Sequence, residues 1–208
     1  MRSGDAAQFL EHFDVSRETI SRLAAYEALL TKWNPRINLV SATTLSQIWS
    51  RHFLDSAQIF DLAANGNSWV DLGSGGGFPG LVIAALAAEK KPDLRVTLVE
   101  SDLRKSAFLA SAAREMNLSV QILSQRIEEI TALSADVLSA RALAPLEKLF
   151  EFSTLHLRSD GVGIFPKGES WRKELAAAQK AWSFEFEAHE SKTDSDAAIL
   201  VINGVKRV

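Results

Sequence analysis

Residues 68–80 read Ser-Trp-Val-Asp-Leu-Gly-Ser-Gly-Gly-Gly-Phe-Pro-Gly, and here the chain gathers groups able to hold a nucleotide-like ligand. Gly73, Gly75, Gly76, Gly77 and Gly80 lack a Cβ, so backbone N–H groups at the start of a following helix can approach a ligand closely. Asp71 precedes them. Glu100 follows Gly80 by about 20 residues, the separation at which nucleotide folds place a carboxylate on ribose hydroxyls. Two registers fit the loop. Gly75-x-Gly77-x-x-Gly80 satisfies a dinucleotide pattern, and Asp71-x-Gly73-x-Gly75-x-Gly77 satisfies the acidic pattern of S-adenosylmethionine (AdoMet) enzymes. Glu100 supports a ribose site under either reading without choosing between them.

Such groups need a strand ahead of the loop and a helix behind it. Trp69 and Val70 favour a strand, the alanine-rich run 81–88 favours a helix packed on a sheet, and Pro79 suits that helix's first turn. A second strand at 95–100 ends in Glu100. A helix from Asp102 to Met116 is expected to turn Leu103, Ala107, Leu109 and Ala110 inward. Further strands are expected at 120–124, 135–139 and 162–165, with helices over 145–157 and 171–182. Segments 184–188 and 197–202 are joined by Lys192-Thr193-Asp194-Ser195-Asp196, too short for a helical crossover, so they should pair antiparallel. This is the α/β layout of a class I, Rossmann-like, seven-stranded methyltransferase, not of a six-stranded parallel dehydrogenase. Residues 1–66 read as an N-terminal helical cap and 67–208 as the AdoMet-binding domain, together one unit. Within the cap, Ser16 is a helix N-cap. Asn34-Pro35 should end that helix, since the residue before proline avoids the helical region. Helical spacing resumes from Thr44 to Leu62, and Asn65-Gly66-Asn67 breaks it.

Composition narrows the function. With 208 residues, 47% hydrophobic and 24% charged, the chain suits one soluble domain with a small appendage. It has no apolar signal core and no run long enough for a membrane span, which predicts a cytoplasmic protein. The absence of cysteine removes disulfides, thiolate metal sites and the nucleophile that C5 methylation of a pyrimidine requires. His12, His52, His156 and His189 are scattered, so no metal is expected. At a net charge of −3, any RNA role must rest on a local patch. The sole tyrosine, Tyr26, is followed four residues later by Leu30 and so lacks the Tyr-x-x-x-Lys pair of many oxidoreductases. The signature of DNA-adenine methylation is also missing. Methyl transfer to an atom that is already nucleophilic remains.

The chain resembles the glucose-inhibited division protein B (GidB, or RsmG) methyltransferases. The resembling blocks are Trp33-Asn34-Pro35-Arg36-Ile37-Asn38-Leu39, Arg51-His52-Phe53-Leu54-Asp55-Ser56, residues 71–80, Gln125-Arg126-Ile127-Glu128-Glu129, Ser139-Ala140-Arg141-Ala142 and Phe165-Pro166-Lys167-Gly168. The resemblance covers residues 25 to 170. It implies an AdoMet-dependent enzyme acting on N7 of a guanine in 16S ribosomal RNA near the decoding centre, with cofactor contacts from Gly73, Phe78, Ile127, Glu128 and Arg141. Asp196-Ala197-Ala198 departs from the basic entry to the last strand common in that family, which puts an RNA contact from the final hairpin in doubt.

That chemistry suits the residues. N7 holds an in-plane lone pair and the sulfonium methyl is electrophilic, so in-line displacement needs no general base, and proximity can lower the barrier by about 7 to 11 kcal/mol. In A-form RNA the N7 edge lies in a deep, narrow groove, so the guanine must sit in a loop or be flipped out. Arg126 and Arg141 follow the third and fourth strands and should reach the carboxyl edge of the sheet as positioning cations. Lys167, Asn38, Arg51, His52 and Arg126 are candidates for RNA, and Asp71, Gly73, Gly75, Gly77, Phe78, Glu100, Ile127, Glu128 and Arg141 for the cofactor. Each has a plainer alternative. Asp71 and Glu100 could cap helices, Arg126 could pair with Glu128 or Glu129, and His52 with Asp55 could be structural. Arg104, Lys105, Arg172 and Lys173 read as a solvated face, with RNA contact as the alternative. The expected substrate is 16S rRNA in a small subunit or assembly intermediate, acted on by a monomer. The rival functions are a small-molecule methyltransferase and a non-enzymatic AdoMet-binding regulator.

Overall fold

The computed structural model describes residues 3–63 and 66–208, with side chains from Ala6 onward. Met1 and Arg2, at the start of the expected cap, and Ala64 and Asn65, the latter an expected breaker, lie outside the described residues. The described chain begins with α1 (Ser3–His12) and α2 (Arg17–Ile37). A chain of short turns follows: 3-10 turns at Leu45–Gln47 and Phe60–Leu62 flank a π turn, Trp49–Leu54, and α3 (Asp55–Ala57). Then come β1 (Ser68–Leu72), α4 (Gly80–Lys90), β2 (Arg95–Val99), α5 (Leu103–Glu115), β3 (Val120–Leu123) and β4 (Ala135–Ser139). The chain closes with α6 (Leu146–His156), β5 (Leu157–Lys167), α7 (Trp171–Ala178), β6 (Trp182–Glu190) and β7 (Ala198–Arg207).

The sheet order is β3-β2-β1-β4-β5-β7-β6. The first five strands run parallel, and β7 lies antiparallel between β5 and β6. This is the seven-stranded methyltransferase layout that the connection lengths predicted. Alternation along each strand sorts side chains to two cores. Trp69, Val96, Leu98 and Val137 meet α2, α4, α5 and the cap on one face. Val70, Leu72, Val99, Leu138 and Phe165 meet α6 and α7 on the other. The cap residues Phe9, Leu23, Tyr26, Leu30 and Phe53 belong to the first core and are at most 1% exposed.

Several boundaries differ from the sequence reading. α2 continues past Asn34 to Ile37, with Pro35 inside its last turn. A proline there removes a single N–H, and the buried Asn34 side chain stabilises the exit by accepting from Leu39 and Val40 N–H, both at 2.8 Å. Asn38 then stops the helix in a left-handed conformation, φ 49°. On α5 the inward face is Ser106, Phe108, Leu109, Ala112 and Ala113. Leu103 is 72% exposed, and Ala107 and Ala110 also face outward. Leu109 faces inward as expected, and the bulky Phe108 beside it draws the rest of the stripe to Ser106, Ala112 and Ala113. Strand β5 begins immediately after α6, absorbing Asp160-Gly161 through an irregularity against β4, and Trp182 opens β6 instead of closing a helix. Among the described residues no helix is long and apolar enough to cross a membrane.

Candidate cofactor and substrate site

Strands β1 and β4 are neighbours whose onward connections lead to opposite halves of the sheet, the switch point at which open α/β folds bind ligands. Beyond β1 the chain turns through Gly73, Gly75 and Gly77, all with positive φ of 62°, 55° and 92°. At Gly73 a Cβ would meet Leu143 Cδ1 at 2.5 Å, so glycine is needed for space as well as conformation. Beyond β4, Ala142 takes a φ of 53°, uncommon for a residue with a Cβ, as the chain turns away from Arg141. Two cavities meet at Gly73, Gly75, Lys105 and Ala142–Ala144.

The smaller cavity, ≈ 450 Å³, is bounded by Val99, Ile127, Leu143 and Phe152, with Glu100 on its wall and Arg126 and Glu128 at its edge. Glu100 is 8% exposed. Its Oε2 accepts from Gly75 N–H at 2.9 Å and its Oε1 from Asp102 N–H at 2.8 Å, which fixes the carboxylate with lone pairs to spare. Apolar walls for a purine, a held carboxylate for ribose hydroxyls and a turn with no room for a Cβ fit an adenosyl group. Ile127 is held from behind, since its carbonyl accepts from His156 Nε2 at 2.9 Å.

The larger cavity, ≈ 810 Å³, lies between the cap, the glycine turn and the β6–β7 loop. Phe78 forms part of its wall, with the His52 ring stacked 4.9 Å away and the Arg141 guanidinium 4.9 Å above its centroid. Arg141 donates to Asp55 Oδ2 at 3.0 Å and to His52 Nδ1 at 3.0 Å. The other His52 nitrogen lies 2.8 Å from Thr44 Oγ1. Burial, then the charges of Arg141 and Arg51, lower the His52 pKa to about 4, so the ring is neutral at physiological pH.

The expected site residues therefore separate. Glu100, Ile127, Glu128 and Arg126 border the smaller cavity, Arg51, His52, Phe78, Arg141 and Lys167 the larger, and Gly73 and Gly75 both. Asp71, Gly77 and Asn38 line neither. Asp71 is completely buried and stitches β1 to β4 and to α4, accepting from Ser139 Oγ at 2.8 Å and Gly80 N–H at 3.2 Å. Burial raises its pKa to about 6 against the pull of those bonds. Asn38 is an exposed helix cap, and Gly77 is spent on the packing of Leu81 and Tyr26. Lys167 is tied to Glu174 at 2.7 Å and to Ala144 O at 2.8 Å, and Arg126 lies 3.8 Å from Glu128.

Two residues carry more of the site than their sequence context indicated. The Tyr26 hydroxyl donates to Gly76 O, and its ring stacks on Phe78 and Phe53 at 5.3 and 5.4 Å. Asp55 joins the cap to Arg141 and, through Thr193 Oγ1 at 3.1 Å, to the β6–β7 loop. Asp55 stood in a recognisable block, but nothing local marks it as a partner of residue 141.

A family model described as GidB, rRNA small subunit methyltransferase G, matches residues 19–199. The chain belongs to that family. It is 54% identical over 195 residues to ribosomal RNA small subunit methyltransferase G of Ruegeria sp. (strain TM1040), covering 94% of this chain and 95% of the relative. It is 50% identical over 205 residues to the protein of the same description from Jannaschia sp. (strain CCS1), covering 98% and 97%. Among solved structures it is similar to an O-methyltransferase from Bacillus cereus in complex with SAH, at a TM-score of 0.60 and 13% identity, covering 95% of this chain and 96% of that one. At that identity the likeness concerns the fold. In this GidB family member, the residues for which the resemblance implies cofactor contacts are divided between the cavities: Ile127 and Glu128 in the smaller, Phe78 and Arg141 in the larger, Gly73 in both.

Proposed function

We propose that this chain transfers the methyl group of AdoMet to N7 of a specific guanine in 16S rRNA near the decoding centre. The observation that carries the reading is the meeting of two cavities at Gly73, Gly75, Lys105 and Ala142–Ala144: one sets Val99, Ile127, Leu143 and Phe152 around the held carboxylate of Glu100, the other is walled by Arg51, Lys105, Arg141 and Lys167. When bound, AdoMet supplies an electrophilic methyl. Glu100 would hold its ribose and the walls at Val99, Ile127 and Phe152 its purine. The glycine turn, braced by Tyr26 and Asp71, keeps the backbone close and still.

The remaining residues position the base. Guanine N7 attacks with a lone pair already in the ring plane, so no side chain has to remove a proton. Neutral His52 and the paired Arg141 shape the wall around Phe78. A guanidinium forked onto both O6 and N7 would occupy the attacking lone pair, so Arg141 serves from the side.

The net charge of −3 and the carboxylate partners of the cavity cations favour a folded small subunit or assembly intermediate over naked RNA. We also propose that the enzyme works in the cytoplasm as a monomer. The cap, residues 1–66, and the methyltransferase domain, 67–208, act as one unit, supported by the core that α2 shares with α4 and α5. The test is transfer of labelled methyl to small subunits from a strain lacking the gene, followed by mapping of the modified nucleotide. Label on one guanine N7 is expected. Label only on small molecules, or binding of AdoMet without transfer, would replace this reading with a small-molecule enzyme or a regulator.

A further inference from the structure

Four cations line the larger cavity, and three already face a carboxylate. Arg51 lies 3.8 Å from Asp194, Arg141 3.0 Å from Asp55 and Lys167 2.7 Å from Glu174. Among the described residues, Lys105 alone of the four has no ion-pair partner. It is also the only one of the four that borders both cavities, at the seam where cofactor and base must meet. Its place on α5 runs against local electrostatics, for a cation in the first turn faces the positive end of the helix dipole. Its neighbour Arg104 in that turn is neutralised by Asp102 at 3.1 Å, whereas Lys105 is not. A charge kept at an unfavourable position with no partner, beside a cavity, is the kind of local conflict that functional sites retain.

We propose that Lys105 holds a phosphate of the substrate RNA next to the target guanine, an inference that rests on the rRNA methyltransferase reading. Phosphate is favoured over the base because an ammonium on O6 would draw electron density from N7 as positive charge develops there. It is favoured over the carboxylate of AdoMet because Lys105 borders the larger cavity as well as the smaller, which leaves it able to face the substrate side of the seam. Of its two sequence readings, a solvated face or an RNA contact, Lys105 thus takes the second.

The test compares wild type, Lys105→Gln and Lys105→Arg on small subunits from a strain lacking the methylation, across a salt series, with AdoMet binding followed by calorimetry. Lys105→Gln should raise KM for the subunit about tenfold, the worth of one charge-assisted hydrogen bond. It should lower the slope of log affinity against log salt by about 1 and leave AdoMet binding as in wild type. Lys105→Arg should recover most of the loss. An unchanged KM and salt slope in Lys105→Gln would overturn the inference, as would weakened AdoMet binding with an unchanged slope. Failure of wild type to methylate the subunit would instead defeat the functional reading beneath it.

Discussion

Asp55 is the side chain on which the larger cavity depends most. It accepts from Arg141 at 3.0 Å, Gln58 Nε2 at 2.9 Å and Thr193 Oγ1 at 3.1 Å, so one carboxylate ties together the cap, the exit of β4 and the β6–β7 loop. Asp55→Asn would leave Arg141, whose side chain is 17% exposed, without its counter-charge. Loss of a hydrogen bond to a charged group costs about 1.5–3 kcal/mol. Steady-state assays should therefore show kcat/KM falling about tenfold or more, with the fold retained by circular dichroism. His52 makes a separate prediction about pH. Its folded pKa of about 4 lies below the ordinary 6.5, so its stabilising contribution is present above 6.5 and is lost as pH falls toward 4. Asp71 acts oppositely: its folded value of about 6 exceeds 3.8, so its contribution is complete below 3.8 and lost as pH rises through 6. The difference in thermal midpoint between wild type and His52→Gln should thus shrink steadily from pH 6.5 to pH 4. A difference independent of pH would contradict this.

Among the elements, α2 acts as a brace for the glycine turn. It is anchored at its start by Glu89 of α4, which accepts from Ser16 N–H at 3.0 Å and Thr19 Oγ1 at 2.6 Å. In its middle, Tyr26 reaches Gly76 O. Burial raises the Tyr26 hydroxyl well above its ordinary pKa, so it remains a donor at every working pH. Tyr26→Phe keeps the stacked ring but leaves a buried carbonyl without its donor, at a cost of about 1–3 kcal/mol. A lower thermal midpoint together with weaker AdoMet binding in calorimetry is the expected pair of results. A lower midpoint alone would mean that the brace does not reach the cofactor. The existence of α2 and its N-cap were legible from Ser16 and the apolar spacing. Its true end was not, because the Asn34 side chain, bonded to residues five and six positions onward, overrides the usual effect of Pro35. On α5, alanines could be assigned to either face until Phe108 chose one.

For the whole molecule, charge is distributed to favour selectivity over grip. With a net charge of −3 and three of the four cavity cations paired, binding to deproteinised rRNA should depend on salt with a slope of no more than about four in magnitude, one for each cavity cation. Free RNA should also be methylated more slowly than the particle. A steeper slope, or faster turnover of free RNA, would point to a basic surface elsewhere.

Joint resemblance of several blocks gave the family, while local pattern alone determined the strand, glycine turn and helix at 68–90 and the antiparallel final pair. Each depends on spacing within a few residues or on connection length, which the order of amino acids records directly. Tertiary structure alone decided that Asp71 is buried against Ser139 and Gly80, that Lys167 is engaged by Glu174, that Asp55 holds Arg141 across 86 residues of sequence, and that Lys105, among the described residues, has no ion-pair partner where two cavities meet. Those roles depend on which distant groups arrive within hydrogen-bonding distance once the sheet closes and the cap settles, and no periodicity in the chain encodes that arrival.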